Sequence, residues 1–202
     1  MMAAASLSPV EALVLRILER GSVPLSGRAI ARIAGLSQST TQRALARLRG
    51  AGLVVADEAP PSLLYRVNRD HLAIPSLLAL LHLDDELRRR MGEHVAHWRT
   101  RPLAVIVYGS VARGTAGASS DVDVLVVRPN GIATDEAPWQ DQLAELAAQI
   151  ERWTGRPASV IELSGHEAAQ GMIEREPFLV EADHEGWLIA GRSLRDLAAG
   201  RT

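Results

Sequence analysis

The first third of the chain has the apolar spacing of three short amphipathic helices followed by two strands. One face of a helix predicted over residues 8–20 carries Leu13, Val14, Ile17 and Leu18. Two more helices are predicted over residues 27–34 and 38–49, each with a serine before it as a cap and Gly35 in the turn between them. Two short apolar runs, residues 53–55 and 63–67, then predict the strands of a hairpin.

The remainder of the chain predicts one long helix and then strands that alternate with helices. The long helix, either continuous or broken at Pro75, covers residues 71–100 and ends before Arg101-Pro102, because the residue before a proline disfavours helix. Four apolar runs predict strands at residues 103–107, 122–127, 158–163 and 187–190. Helices are predicted at residues 137–154 and 166–175, from Pro177 onward, and after Ser193. This order indicates an α+β protein.

The first two of these strands enclose a glycine-rich stretch, Tyr108-Gly-Ser-Val-Ala-Arg-Gly-Thr-Ala-Gly-Ala-Ser-Ser-Asp-Val-Asp123. Asp121 and Asp123 are two residues apart on a strand, so their side chains point to the same face. Two neighbouring carboxylates repel each other, whereas Mg²⁺ between them turns that repulsion into attraction. Gly109 lets the backbone approach a phosphate closely, and Ser110 and Arg113 supply hydrogen-bond donors. The stretch therefore predicts a magnesium and nucleotide site.

The motif, Gly-Ser followed after ten residues by Asp-x-Asp with Arg113-Gly114 inside it, resembles that of the nucleotidyltransferase superfamily of the DNA polymerase β type. It is most similar to the minimal nucleotidyltransferases, which include antitoxins and aminoglycoside-modifying relatives. The resemblance covers residues 101–202 and implies a small mixed sheet with helices on one side. It also implies that Asp121 and Asp123 hold Mg²⁺. Gly109, Ser110 and Arg113 would hold a nucleoside triphosphate such as ATP.

Active members of that family carry a third carboxylate on the next core strand, which here is residues 158–163. Ser159 stands at the position that aligns with this acid. Glu162 is the acid that the strand does contain, and its side chain would point to the opposite face from Ser159. Two interpretations stay open. Glu162 is a catalytic residue if the strand shifts or bulges, and otherwise it lies at the rim of the site.

The order of helix, helix, tight turn, helix and hairpin in residues 8–69 resembles a winged helix-turn-helix of bacterial transcription regulators. The resemblance implies that the third helix enters the major groove of DNA and meets base edges. The side chains of suitable chemical type for this contact are those of Gln38, Ser39, Thr40, Gln42 and Arg43. Phosphates would be met by Arg47, Arg66 and Arg69. Asp57 and Glu58, at the tip of the wing, would be repelled by phosphates. The alternative is a helix-turn-helix that serves only packing or dimerisation.

These features predict a chain in three parts. A winged helix-turn-helix DNA-binding domain would cover residues 1–70, a linker helix 71–100, and a nucleotidyltransferase-like domain 101–202. Charge divides in the same way, with nine arginines against five acidic residues in 1–70 and thirteen against nineteen in 71–202. Cysteine is absent, which excludes disulfides and thiolate metal sites. The sequence lacks a signal-peptide pattern and a membrane-length apolar run, so we expect a cytoplasmic protein with no membrane partner.

Two functions are consistent with this organisation. In the first, the chain is a Mg²⁺-dependent enzyme that transfers a nucleoside monophosphate from a triphosphate to a hydroxyl of a protein or small molecule. In the second, it is a transcription regulator whose nucleotidyltransferase-like domain senses a nucleotide without turning it over. Winged regulators commonly dimerise, so a homodimer on a palindromic DNA site is expected. One chain could combine both functions.

Overall fold

The computed structural model describes residues 7–60, 62–117 and 120–200. The chain divides into two compact units, Met1–Leu83 and Asp84–Thr202. Each unit has a hydrophobic core of its own. They are therefore described one at a time.

The first unit contains four helices and a three-stranded antiparallel sheet within its described residues. The sheet has the order β1-β3-β2. The elements in chain order are α1 (Pro9–Arg20), β1 (Leu25–Ser26), α2 (Gly27–Ala34), α3 (Gln38–Gly50), β2 (Val54–Ala59), β3 (Ser62–Val67) and α4 (Ile74–Leu81). The three predicted helices and the predicted hairpin are confirmed. The two-residue strand β1 was not predicted from the sequence, because so short a strand has no periodic pattern.

Serine caps fix where the helices of the first unit begin. The hydroxyl of Ser26 accepts from the backbone N–H of Ala29 at 3.2 Å, and that of Ser37 accepts from Thr40 at 3.1 Å. Gly35 has a φ of 64°, a left-handed conformation that lets the chain turn sharply between α2 and α3. The core beneath these helices includes Val14, Leu15, Ile30, Leu45 and Leu48, all essentially inaccessible to solvent.

The single linker helix predicted over residues 71–100 is instead two helices. Helix α4 ends at Leu81, and α5 (Leu83–Ala96) begins after His82. The apolar face of α4, with Ile74, Leu77 and Leu78, packs on the core of the first unit. The apolar face of α5 packs on a core of the second unit through Leu87, Met91 and Val95. The two halves of the predicted helix therefore belong to different cores.

The second unit is built on a four-stranded mixed sheet in the order β6-β5-β4-β7. Its elements after α5 are β4 (Ala104–Tyr108), α6 (Gly109–Ala112), β5 (Val122–Arg128), α7 (Ala137–Thr154), β6 (Ala158–Ser164), α8 (Gly165–Glu174), α9 (Pro177–Glu185), β7 (Trp187–Gly191) and α10 (Leu194–Ala198). β4 pairs antiparallel with β5 and β7, whereas β5 and β6, which α7 connects, are parallel. The predicted small mixed sheet is confirmed.

Helices cover both faces of this sheet, so the expectation of helices on one side is wrong. Val122, Val124 and Val126 face α5 and α7 in one core. Leu125 and Val127 face α8, α9 and α10 in the other. Because the side chains of a strand alternate between the two faces, the unbroken apolar run of β5 requires cover on both. In the described residues, no helix combines the length and apolar character needed to cross a membrane.

Candidate functional site

The polar end of the sheet brings Gly109 and Asp123 into direct contact. Asp123 pairs with Tyr108 across the antiparallel strands β4 and β5, and Gly109 follows Tyr108 directly. A methyl group added at Gly109 would collide with Oδ2 of Asp123 and would lie 3.3 Å from its Cγ. The φ of Gly109 is 70°, in the region that favours glycine. Glycine is thus required here both by the backbone conformation and by the proximity of the carboxylate.

The glycine-rich stretch begins with a tight helical turn rather than with an open loop. Helix α6 starts at Gly109, and Gly109 O accepts from the N–H of Arg113 at 3.2 Å. The carbonyl of Ser110 accepts from the N–H of Thr115 at 2.9 Å, which closes the turn. Trp187 of β7 fixes its end by donating from Nε1 to the carbonyl of Ala112 at 3.0 Å. Ser110 and Arg113 therefore have defined places beside the start of β5.

Asp121 and Asp123 are close enough to interact electrostatically. Asp121 is exposed just before β5, and Asp123 is half-buried within it. Burial raises the pKa of Asp123 above its usual range, the charge of Asp121 raises it further, and Glu181 adds to the effect while Arg113 opposes it. Burial also raises the pKa of Tyr108, with contributions from Asp123 and Glu181. The site is therefore rich in negative charge.

Arg113 is held by two carboxylates of helix α9. Its Nη1 forms an ion pair with Oε1 of Glu181 and lies 3.7 Å from Oε2 of Glu185. The sequence interpretation missed both glutamates. Their i, i+4 spacing after Pro177 could have placed them on one helical face. The sequence alone contains nothing that directs that face to Arg113.

Glu162 does not join Asp121 and Asp123. The pairing of β5 with β6 is regular, with Asp123 opposite Ser159 and Val126 opposite Glu162. Because no shift or bulge interrupts the register, Glu162 lies on the other face of the sheet. There it accepts hydrogen bonds from Arg128 Nε at 2.5 Å and Trp139 Nε1 at 3.0 Å. The interpretation of Glu162 as a catalytic residue is corrected accordingly, and Ser159 occupies the position opposite Asp123.

The donor set at the start of β5 suits a cation that also binds a substrate. Within the described ranges, no group of three or more histidine, aspartate and glutamate side chains forms a metal-binding cluster. Mg²⁺ commonly takes only one or two protein carboxylates and completes its shell with water and phosphate oxygens. Asp121 and Asp123, with the backbone of Gly109 against Asp123, fit that mode of binding.

The side chains predicted to contact DNA lie on one face of helix α3. Its opposite face is buried through Thr41, Ala44, Leu45 and Leu48. Of the predicted DNA contacts, Thr40 is half-buried and the others are exposed, namely Gln38, Ser39, Gln42, Arg43 and Arg47. The hydroxyl of Thr40 accepts from Nη2 of Arg43 at 3.5 Å. This face of α3 is therefore polar and accessible to solvent, and a hydrogen bond to Thr40 orients the Arg43 side chain.

A cleft of about 520 Å³ lies between this face and the hairpin, and Arg28, Gln38, Gln42 and Ser62 are among its lining residues. Arg28 was not singled out from the sequence. Two of the predicted phosphate contacts have acidic partners: Nη1 of Arg47 lies 3.4 Å from Oε1 of Glu11, and Nε of Arg66 lies 3.2 Å from Oδ2 of Asp57. The pair with Asp57 reduces the negative charge at the wing.

Comparison with protein families agrees with this architecture. Residues 85–174 match the model of the nucleotidyltransferase domain. Residues 5–61 match the model of the MarR family. The chain therefore joins an N-terminal winged helix-turn-helix of MarR type to a C-terminal nucleotidyltransferase domain. None of the curated proteins compared matches the chain.

Several solved structures resemble parts of the chain. The predicted DNA-binding transcriptional regulator from E. coli is 34% identical over 37% of this chain and 75% of its own, with a TM-score of 0.33. A toxin–antitoxin structure with AMP-PNP is 16% identical over 56% of this chain and 82% of its own, with a TM-score of 0.37. ZitR, a zinc-responsive MarR family member from Lactococcus lactis, is 18% identical over 45% of this chain and 65% of its own, with a TM-score of 0.36. Each of these matches is partial.

Proposed function

We propose that the second unit transfers a nucleoside monophosphate from a nucleoside triphosphate to a hydroxyl group. The observation that carries the proposal is the convergence of Asp121, Asp123 and Arg113 on the turn that starts at Gly109. Carboxylates for a cation, a glycine that admits a phosphate and a guanidinium for negative charge are the elements that such a transfer requires. The nucleotidyltransferase match over residues 85–174 supports the assignment.

Each residue of the site has a defined part in this reaction. Asp121 and Asp123 would hold Mg²⁺, which when bound neutralises phosphate charge and aligns the reacting groups. Arg113 would pair with the triphosphate, and the backbone at Gly109 and Ser110 would approach its oxygens. The acceptor oxygen forms a bond to the α-phosphorus as the bond to the β-phosphate oxygen breaks. Pyrophosphate leaves, and the hydroxyl proton passes to solvent.

The test is incubation of the purified chain with Mg²⁺, each of the four labelled ribonucleoside triphosphates and candidate acceptors, the chain itself included. Label transfer is expected with the native chain and is expected to be lost in Asp121→Asn and Asp123→Asn. Asp141→Asn, at an exposed position of α7, serves as a matched control that keeps full transfer. Transfer that survives both substitutions at the site would reject the proposal.

One observation favours a second function, nucleotide sensing without turnover. Ser159, and not an acid, stands opposite Asp123, and Glu162 lies on the other face of the sheet. A site with fewer carboxylates holds catalytic cations less securely while it can still bind a Mg²⁺–nucleotide complex. Calorimetric binding of a non-hydrolysable triphosphate by a chain that transfers no label would favour this alternative.

For the first unit, the proposed function is DNA binding by α3 in the manner of a transcription regulator. The exposed polar face of α3 and the cleft beside it support the proposal. The proposal includes a homodimer that binds a palindromic DNA site. A protein that binds both DNA and nucleoside triphosphates would act in the cytoplasm. Selection from a random DNA pool, combined with sedimentation analysis, tests both points. Weak and sequence-independent binding by a monomer would contradict them.

A further inference from the structure

The contacts of Arg113 suggest how the nucleotide site is controlled before nucleotide arrives. Nη1 of Arg113 forms an ion pair with Glu181 and lies 3.7 Å from a carboxylate oxygen of Glu185. The three side chains are 39%, 42% and 47% exposed, respectively. This guanidinium is the group that the proposed function assigns to the triphosphate, and two carboxylates of the chain itself are its partners.

Helix α9 places Glu181 in an ion pair with Arg113 and within electrostatic range of Asp123. Electrostatic interactions link Glu181 with Arg113, Asp123 and Tyr108. A triphosphate that pairs with Arg113 must therefore displace a carboxylate from it. Exposed ion pairs are weak because water and salt screen them, so this exchange is accessible to a highly charged ligand.

We propose that Glu181, assisted by Glu185, is the counterion of Arg113 in the nucleotide-free protein and competes with the triphosphate for that guanidinium. The inference rests on the proposed function of the same site and adds its regulation. Glu181 is a positioning residue in this scheme: it acts on the nucleotide through Arg113. Affinity for the triphosphate is held below the value that Arg113 alone would give.

The direction of the effect separates competition from structural support. If Glu181 merely orients Arg113 for the phosphates, removal of its charge leaves the guanidinium less ordered and weakens binding. If Glu181 competes, the same change strengthens binding. Glu181→Gln preserves the shape and the hydrogen-bonding length of the side chain while it removes the charge, so the sign of the change is informative.

The experiment is calorimetric titration of the full chain with a non-hydrolysable ATP analogue and Mg²⁺. Glu181→Gln is expected to bind about twofold to fivefold more tightly than the native chain, the upper part of the range for loss of one solvent-screened charge pair. Glu185→Gln is expected to show a smaller gain, since its oxygen lies 3.7 Å from Arg113. Glu176→Gln, an exposed position at the start of α9, removes an equal charge and is expected to leave affinity unchanged.

A second background tests whether the gain depends on Arg113. In Arg113→Gln, the substitution Glu181→Gln is expected to change affinity by less than twofold, because no guanidinium remains to compete for. Equal or weaker binding by Glu181→Gln in the native background would overturn the inference, as would a full gain in the Arg113→Gln background. If the native chain takes up no Mg²⁺–nucleotide at all, the proposed function fails. If the native chain binds Mg²⁺–nucleotide and the glutamate variants bind it with the same affinity, only the competition by Glu181 is contradicted.

Discussion

Gly109 and Asp123 are coupled through space, because the carboxylate of Asp123 occupies the volume that any side chain at Gly109 would need. The coupling has a second component in the backbone, since Gly109 has a φ of 70°. A residue with a Cβ is strained in that region by about 1 kcal/mol or more. The turn before α6 and the orientation of the Asp123 carboxylate are thus determined together.

The first prediction concerns Gly109→Ala. We expect it to lower Mg²⁺–nucleotide affinity by about tenfold or more, equivalent to about 1.4 kcal/mol, because the new methyl group displaces the Asp123 carboxylate. Calorimetry measures the affinity. Gly114→Ala is the control: its φ is 68°, but a Cβ there has open space around it. Similar loss of nucleotide affinity in both variants would mean that backbone strain alone, and not the contact with Asp123, is responsible.

The second prediction concerns stability and pH at Asp123. Its pKa is raised in the folded protein by burial and by Asp121. A raised pKa means that the folded state favours the protonated acid, so the stabilisation is present below the ordinary value of 3.8 and is lost as pH rises through the folded pKa. Asp123→Asn is therefore expected to be more stable than the native chain at neutral pH, by less than about 1 kcal/mol because solvent screens the charges.

Urea unfolding followed by tryptophan fluorescence measures this difference in the second unit, because Trp98, Trp139, Trp153 and Trp187 all lie in it. The stability difference between Asp123→Asn and the native chain is expected to shrink as pH falls towards 3.8. Added Mg²⁺ is expected to stabilise only the native chain. A variant that is less stable than the native chain at neutral pH would contradict the charge argument.

The third prediction is that Glu162 stabilises the fold and takes no part in nucleotide binding. Its carboxylate accepts from Arg128, Thr134, Trp139 and Gln140. The Arg128 and Glu162 side chains are only 13% and 15% exposed. Glu162→Gln is expected to cost about 2 to 4 kcal/mol of unfolding free energy, because it leaves the charge of Arg128 unpaired in a largely buried place. The same fluorescence-detected unfolding measures it.

Glu145→Gln, at an exposed position of α7, is the matched control for Glu162→Gln and is expected to change stability by less than about 0.5 kcal/mol. The folded Glu162→Gln variant is expected to bind Mg²⁺–nucleotide as tightly as the native chain does. A variant of native stability that has lost nucleotide binding or transfer would restore Glu162 to the functional site.

The parts of the fold that were predicted from the sequence depend on local rules. Helix α7 runs over residues 137–154, as predicted, because its apolar positions have one clear period and Gly155 provides a left-handed C-cap. The prediction of one long helix over residues 71–100 was wrong, because periodicity shows which residues are apolar but not which core they pack into. Leu78 and Met91 belong to different cores.

The second layer of helices on the sheet had a visible sign in the sequence. Residues 122–127 contain apolar side chains at five of six positions, and strands buried on both faces have such continuous runs. The pairing of Arg113 with Glu181, by contrast, could not be predicted from the sequence. It depends on how α9 packs beside β4 and α6, a long-range arrangement that no local spacing determines. The position of Glu162 was predictable only conditionally, because it required the register of β6 against β5.

The fourth prediction separates base reading from phosphate contact in helix α3. Arg43 is exposed in the N-terminal half of α3, and major-groove readers meet base edges with the N-terminal part of the helix. Arg43→Ala is expected to cost about 1 to 3 kcal/mol on the selected DNA site and to relax preference at one base pair. Arg47, whose guanidinium is paired with Glu11 at 3.4 Å, lies further along the helix.

Arg47→Ala is expected to weaken binding to all sequences alike and to reduce the dependence of log affinity on log salt by about one unit, because one phosphate contact is lost. Fluorescence anisotropy at several salt concentrations measures both quantities. Arg152→Ala, at an exposed position of α7, removes the same charge from the second unit and is expected to leave both quantities unchanged. If Arg43→Ala and Arg47→Ala behave identically, α3 does not enter the groove with its N-terminal end.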